Sequence, residues 1–251
     1  MHCMFEEIDK LKKELDDLRP LSPQILQLIS QKFREEWTYN TNALEGNTMS
    51  LHETAFFLRE GLTIKGKTLK EHLEVINHSE AIEFLEGELK NKRLTERFIK
   101  DIHAILFQGV KPEKGEDPVI PGVYKQKDNK TITLSGDLLI YTPAIQVPSE
   151  MENLLNWYES CNEHPIKVAA EFHHKIASIH PFSDGNGRVS RICMNFILMK
   201  HGYPPAIIRK EERIDYLKAL TEADNGNGTP FLELITKEVK NSLKVMIGII
   251  K

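Results

Sequence analysis

His180-Pro181-Phe182-Ser183-Asp184-Gly185-Asn186-Gly187-Arg188-Val189-Ser190-Arg191 is the stretch around which the 251-residue chain is organised. Upstream, Ile166, Ala169, Ala170, His173, Ile176, Ala177 and His180 recur at helix spacing. A residue before proline is pushed out of the α region, so Pro181 predicts that this helix ends at His180. Downstream, Val189, Ile192, Cys193, Phe196 and Ile197 resume helix spacing, and Gly202 with Pro204-Pro205 predicts the stop. DG and NG pairs also mark β-hairpin turns, but a hairpin needs alternating strands on both sides. Both flanks here carry a helical period instead.

Between the two helices the chain must turn tightly through Asp184-Gly185-Asn186-Gly187. Glycine tolerates left-handed backbone angles and lets a ligand approach without a Cβ clash. A glycine-rich turn that opens a helix points several N–H groups one way, at the positive end of the helix dipole. That is an anion site, and phosphate is its usual guest. Arg188 and Arg191, three apart on the first turns, can reach one anion together. A carboxylate beside a phosphate site suits Mg²⁺, which keeps waters and bridges phosphate oxygens, and Asp184 supplies it. His180 is the one residue here that can take a proton near neutral pH.

HPFSDGNGRVSR resembles the signature of the Fic family, HPFx[DE]GNGRxxR, at every fixed position. The resemblance implies a mainly α-helical Fic fold with one β-hairpin, the flap. It also implies a nucleotidyltransferase that moves AMP from ATP to a protein hydroxyl. By matching position, His180 would deprotonate that hydroxyl and Asp184 would hold Mg²⁺. Gly185, Asn186, Gly187 and Arg188 would bind the phosphates, and Arg191 the γ-phosphate.

A second element lies far ahead. Ser22-Pro23 is an N-cap followed by proline at the first helical position. The helix it opens runs through Ile25, Leu28, Ile29, Phe33, Trp37 and Leu44, and Gly46 predicts an end near Glu45. A carboxylate in a last turn faces the negative pole of the dipole, at a cost of roughly 0.3–1 kcal/mol unless a cation answers it. Either Glu45 is solvated on a frayed end or the fold brings it an arginine. Thr41-Asn42-Ala43-Leu44-Glu45-Gly46 resembles the [ST]xxxE[GN] inhibitory helix of many Fic proteins. By that resemblance Glu45 pairs with Arg191 and blocks the place of the γ-phosphate, so the default state is self-inhibited.

Composition sets the outer bounds. The chain is 40% hydrophobic and 28% charged, enough for one large domain or a domain with a helical extension. A net charge of −4 with dispersed Lys and Arg argues against nucleic acid as the main partner. Cys3, Cys161 and Cys193 are odd in number and form no CxxC pair, which suits a reducing compartment. No apolar run approaches the ~20 residues of a membrane span. The start, MHCMFEEIDK, is too polar and acidic for a signal peptide, so the expected location is cytoplasmic.

In the remaining chain, Phe5, Ile8, Leu11, Leu15 and Leu18 form an amphipathic stripe, expected to dock on the chain's own body. A homodimer through this helix stays open. Helices are expected over Ser50–Gly61, Leu69–Lys90, Thr95–Phe107 and from Pro148 to Cys161, with His103 and His173 read as packed rather than metal-binding. The strand signal is confined to Thr131–Leu134 and Leu138–Tyr141, around a Ser135-Gly136-Asp137 turn. Such a hairpin must lean on the helical body and can accept an extended segment at its free edge. By resemblance it is the flap on which a protein substrate docks, 131–141, with Thr133, Leu134, Ser135 and Gly136 nearest the nucleotide. Tyr216, Leu217 and Asp224 would frame the adenine and ribose; the family's Asn-x-Gly-Asp turn is here Asp224-Asn225-Gly226-Asn227.

The expected layout is residues 1–50 as N-terminal helices with the inhibitory motif, 51–230 as the Fic core and 231–251 as a C-terminal helix. Self-modification by the same chemistry stays open. Three other readings stay open: a transferase using another nucleotide, the reverse reaction in which Glu45 helps water remove AMP, and a non-catalytic module that binds ATP.

Overall fold

A computed structural model of the chain describes all residues except Met1, 91–92, 113–117, 133–135 and Asp137; the side chains of 2–4 are likewise not described. Ten helices stand among the described residues: α1 (His2–Asp17), α2 (Pro23–Leu44), α3 (Leu51–Glu60), α4 (Leu69–Glu88), α5 (Glu96–Leu106), α6 (Val147–Ser160), α7 (Pro165–Ile179), α8 (Asn186–Lys200), α9 (Arg213–Asp224) and α10 (Thr229–Ile250). Between α5 and α6, β1 (Lys130–Ile132) pairs antiparallel with β2 (Leu138–Ile140), in the register Lys130↔Ile140, Thr131↔Leu139 and Ile132↔Leu138. The architecture is the mainly α one expected, with a single small hairpin among the described residues.

The caps are written in the sequence. Ser22, Ser50, Thr68 and Thr95 each accept from the backbone N–H three residues on, and Glu53 and Glu71 close capping boxes.

α8 is the hub. Val189, Ile192, Cys193, Met194, Phe196, Ile197 and Leu198 are all fully buried, so every side of the helix meets protein. A helix apolar on all sides belongs in the interior, and α7 packs along it. Two asparagines close its ends. Asn186 accepts from Phe182 N–H (2.9 Å) and donates to Phe182 C=O (2.9 Å). Asn195 does the same for Ala206, at 2.8 and 3.1 Å.

α2 is not an appendage. Ile29, Phe33, Trp37 and Leu44 join the same buried cluster as Phe172, Phe182 and Phe196. α1 lies against α10 with Phe5, Ile8 and Leu15 buried, and Glu7–Lys240 and Glu14–Lys251 pairs flank the seam. No helix among the described residues is long and apolar enough to cross a membrane.

Candidate active site

His180 caps α7 at φ +52°, the one non-glycine residue at positive φ among those described. Its Nδ1 lies 3.2 Å from Ala177 C=O. A carbonyl only accepts, so Nδ1 carries the hydrogen and Nε2 keeps a free lone pair. Burial pushes the imidazole pKa down to about 4; the Ala177 contact opposes this and Lys125 adds to it. The ring is therefore neutral at pH 7, a base with its acceptor free.

The loop from Phe182 to Gly185 turns into α8 at φ +76° on Gly185, where a Cβ would stand 2.4 Å from Phe107 Cε2. Glycine is required there for both angle and space. The N–H groups of Asn186, Gly187 and Arg188 open α8 and have no carbonyl within the helix. His103 braces the turn from α5. It donates from Nε2 to Asp184 C=O (3.3 Å), accepts at Nδ1 from Gly122 N–H (2.9 Å) and stacks on Phe182 at 3.8 Å. Both nitrogens are used, as a packed residue requires.

The two arginines stand in different states. Each nitrogen of Arg191 has a partner: Nε donates to Thr41 Oγ1 (2.6 Å), Nη1 to Tyr216 Oη (3.4 Å), and Nη2 to Thr41 C=O (3.3 Å) and Glu45 Oε1 (2.6 Å). Arg188 is buried over the Phe107 ring, with carboxylates of Glu74 and Asp184 only at 3.9 Å, and its Nε has no partner. A buried cation with an idle donor at a helix N-terminus fits an anion.

Glu45 closes α2 as its C-cap residue, 40% exposed at its side chain. Partial removal from water pushes its carboxyl pKa up, but the guanidiniums of Arg191, Arg188 and Arg213 outweigh this and hold it below the usual range. Arg213, at the start of α9, also donates from Nε to Leu44 C=O at 3.0 Å. Thus two cations answer the negative end of α2. Gly187 makes room: a Cβ there would stand 2.6 Å from Glu45 Oε1.

Asp184 is 64% exposed at its side chain; Oδ1 accepts from Gly185 N–H at 2.6 Å and Oδ2 faces Arg188. Among the described residues no group of three or more His, Cys, Asp or Glu could hold a metal. One open carboxylate fits an ion that arrives with a triphosphate and its own waters.

Beside α7 lies a cleft of about 810 Å³, lined by both strands of the hairpin, Tyr141, Ala177, Ser178, Arg213, Leu217 and Asp224. His174 Nε2 (2.8 Å) and Ser178 Oγ (3.0 Å) hold Asp224 Oδ1. Leu217 and Asp224 are thus placed together. Tyr216 is not with them: it is buried, bonded to Arg191 and to His173 Nε2 (3.0 Å). The reason is helical phase, which turns Tyr216 to the core when Leu217 faces the cleft. The Asn186 side chain serves the loop, leaving its backbone N–H for the nest. Thr133, Leu134 and Ser135 lie outside the described residues, while Gly136 is exposed in the turn. β1 begins one residue before the sequence pattern predicts, at Lys130, and β2 ends at Ile140, one residue before the predicted Tyr141. Sequence reasoning missed Arg213, Tyr141, Lys125 and Glu74. Arg213 leaves a trace in the sequence as a cation at the start of a helix, where the dipole disfavours it.

A family model described as the Fic/DOC family matches residues 93–198. The chain is 33% identical over 245 residues to the protein adenylyltransferase Fic of Culex quinquefasciatus, covering 97% of this chain and 47% of that one. It is 34% identical over 218 residues to the protein adenylyltransferase fic-1 of Caenorhabditis elegans, covering 86% and 41%. The chain therefore spans about half the length of the curated relatives it matches. Among solved structures, a Fic domain containing signaling protein from Bacteroides thetaiotaomicron superposes with a TM-score of 0.90 at 30% identity, over 97% of this chain and 96% of that one. A segment of Fic-1 from C. elegans gives 0.83 at 28% identity, over 99% and 71%. Matched at 30% identity along nearly the whole of itself and of the Bacteroides Fic protein, the chain belongs to the Fic/DOC family.

Proposed function

We propose that the chain is a protein adenylyltransferase that moves AMP from MgATP to a Ser, Thr or Tyr hydroxyl of a protein, and that Glu45 holds it self-inhibited. The observation that carries the reading is the juxtaposition of a neutral His180, its Nε2 free, with a helix N-terminus where buried Arg188 has an idle donor. The hydroxyl oxygen attacks the α-phosphorus and its proton passes to His180 Nε2. The bond from that phosphorus to the bridging oxygen breaks, and pyrophosphate leaves. The N–H groups of Asn186, Gly187 and Arg188 stabilise the charge gathering on the phosphoryl oxygens. Asp184 would hold Mg²⁺, which when bound offsets phosphate charge.

The cleft with Leu217 and Asp224 takes the nucleoside, and Arg191 takes the γ-phosphate once Glu45 leaves it. The exposed Ile132, Leu138 and Ile140 offer a protein substrate an apolar face on the flap, beside its free strand edge. The free thiols Cys161 and Cys193 support work in a reducing compartment, the cytoplasm.

Incubation with α-labelled ATP tests this. The wild type labels itself or a partner weakly, Glu45→Gly labels strongly, and Glu45→Gly with His180→Ala labels nothing. Equal labelling by the wild type and Glu45→Gly removes the inhibitory role; no labelling from any nucleotide leaves a binding module.

A further inference from the structure

We infer that Tyr141 is a positioning residue for His180, and that the root of the hairpin and the signature loop form one mechanical unit. The inference rests on the reading of His180 as the base. The Ala177 contact fixes one edge of the imidazole. Its face is fixed by Tyr141, whose ring lies parallel at 3.7 Å between centroids and 15° between planes. Without that second surface the ring could swing about its bonds while keeping the Ala177 contact.

Tyr141 follows directly on β2, and its backbone N–H donates to Asn129 C=O at 3.3 Å, just before β1. Asn129 then reaches the loop: its Nδ2 donates to Phe182 C=O (3.2 Å) and its Oδ1 accepts from Lys125 Nζ (2.6 Å). The Lys125 N–H donates to Pro181 C=O at 2.9 Å. Lys125 itself is 6% exposed, with Nζ 5.9 Å from the Tyr141 ring centroid. Two residues thus grip Pro181 and Phe182, next to the base, and also seat the ring that covers it. A protein segment that adds to the hairpin edge bears on the same unit, so target docking and the aim of His180 Nε2 are linked through Tyr141.

The stack uses the face of the ring, not the hydroxyl. That gives a test in the Glu45→Gly background, by steady-state labelling of a target or of the protein itself. Tyr141→Ala should lower kcat by roughly 10- to 100-fold, the cost of a base out of line, a larger effect than any on the KM for ATP through the cleft wall. Tyr141→Phe should restore most of kcat. If Tyr141→Ala does not fold, Tyr141→Leu, which keeps bulk without stacking, should show the same loss. A raised KM for ATP with kcat kept would leave Tyr141 only its place in the wall of the nucleotide cleft and overturn the inference. So would unchanged kinetics, or a Phe variant as poor as Ala. No labelling by Glu45→Gly itself would overturn the adenylyltransferase reading, and this inference with it.

Discussion

Glu45 Oε1 lies 2.6 Å from the point where a Cβ on Gly187 would stand. The end of α2 and the start of α8 fit together only because residue 187 has no side chain. In the wild type, Gly187→Ala should cost about 1–3 kcal/mol, as overpacking does. In Glu45→Gly the nearest collision is gone and Arg191 Nη1 remains at 3.1 Å, so the same change should cost less. Urea denaturation of the four proteins should give a coupling of about 1 kcal/mol; additivity within about 0.5 kcal/mol would show that the two sites do not meet.

Thr41 holds Arg191 at two points, its Oγ1 accepting from Nε and its C=O from Nη2. Thr41→Val removes the acceptor of Arg191 Nε, a buried donor, and should cost about 1–3 kcal/mol. With Arg191 loosened, labelling should fall between the wild type and Glu45→Gly, and Thr41→Ser should return it to the wild-type level. A Val variant that labels no more than the wild type would separate Thr41 from inhibition.

Asn186 offers a cleaner division between structure and ligand binding. Asn186→Ala orphans the Phe182 N–H, while the Phe182 C=O keeps Asn129. The nucleotide-free protein should therefore lose about 1–3 kcal/mol of stability. An unchanged melting temperature without nucleotide would assign the side chain to the ligand alone.

The pH dependence follows from burial. With its pKa pushed down to about 4, His180 remains mostly deprotonated at pH 5, whereas an imidazole at the ordinary value of about 6.5 would be mostly protonated. Initial labelling rates of Glu45→Gly at pH 5 and 7 should thus be similar, and a steep loss near pH 6.5 would contradict the burial of the base. Stability moves the other way. Burial keeps His78 and His173 well below their ordinary value and His103 at about 4, beside His180. Below about pH 6.5 the unfolded chain binds protons that these rings refuse, so stability falls as pH falls toward 4. Glu238, raised by burial to about 7, binds a proton in the folded state over that range and offsets roughly one of the four. Denaturant midpoints at pH 7 and 5 measure the net decline.

The helices were legible because their caps and apolar periods are local. Pro181 ends α7 and Gly185 opens α8 for reasons carried by the residues themselves. Glu45 was legible in two steps: its place at an unfavourable helix end set a question, and resemblance supplied Arg191 as the answer. What local patterns could not reveal were directions set by distant packing. Tyr216 and Leu217 are neighbours in sequence, yet one turns to Arg191 and the other to the cleft. Tyr141 follows a short strand and stands two residues before a proline, and nothing there says that its ring covers an imidazole 39 positions on. Asn186 sits in the signature, yet its amide is spent on the backbone four residues earlier.

Phe33 and Trp37 fasten α2 into the interior shared by the whole protein. Lifting that helix away would expose much of the apolar centre, at a cost comparable to the 5–15 kcal/mol that holds a typical domain folded. On the proposed self-inhibition, release of the arginine would therefore work at the tip, by turning one carboxylate outward or fraying the last turn before Gly46. An activator of such a latch would need to grasp only a few atoms, and the latch would reset without refolding.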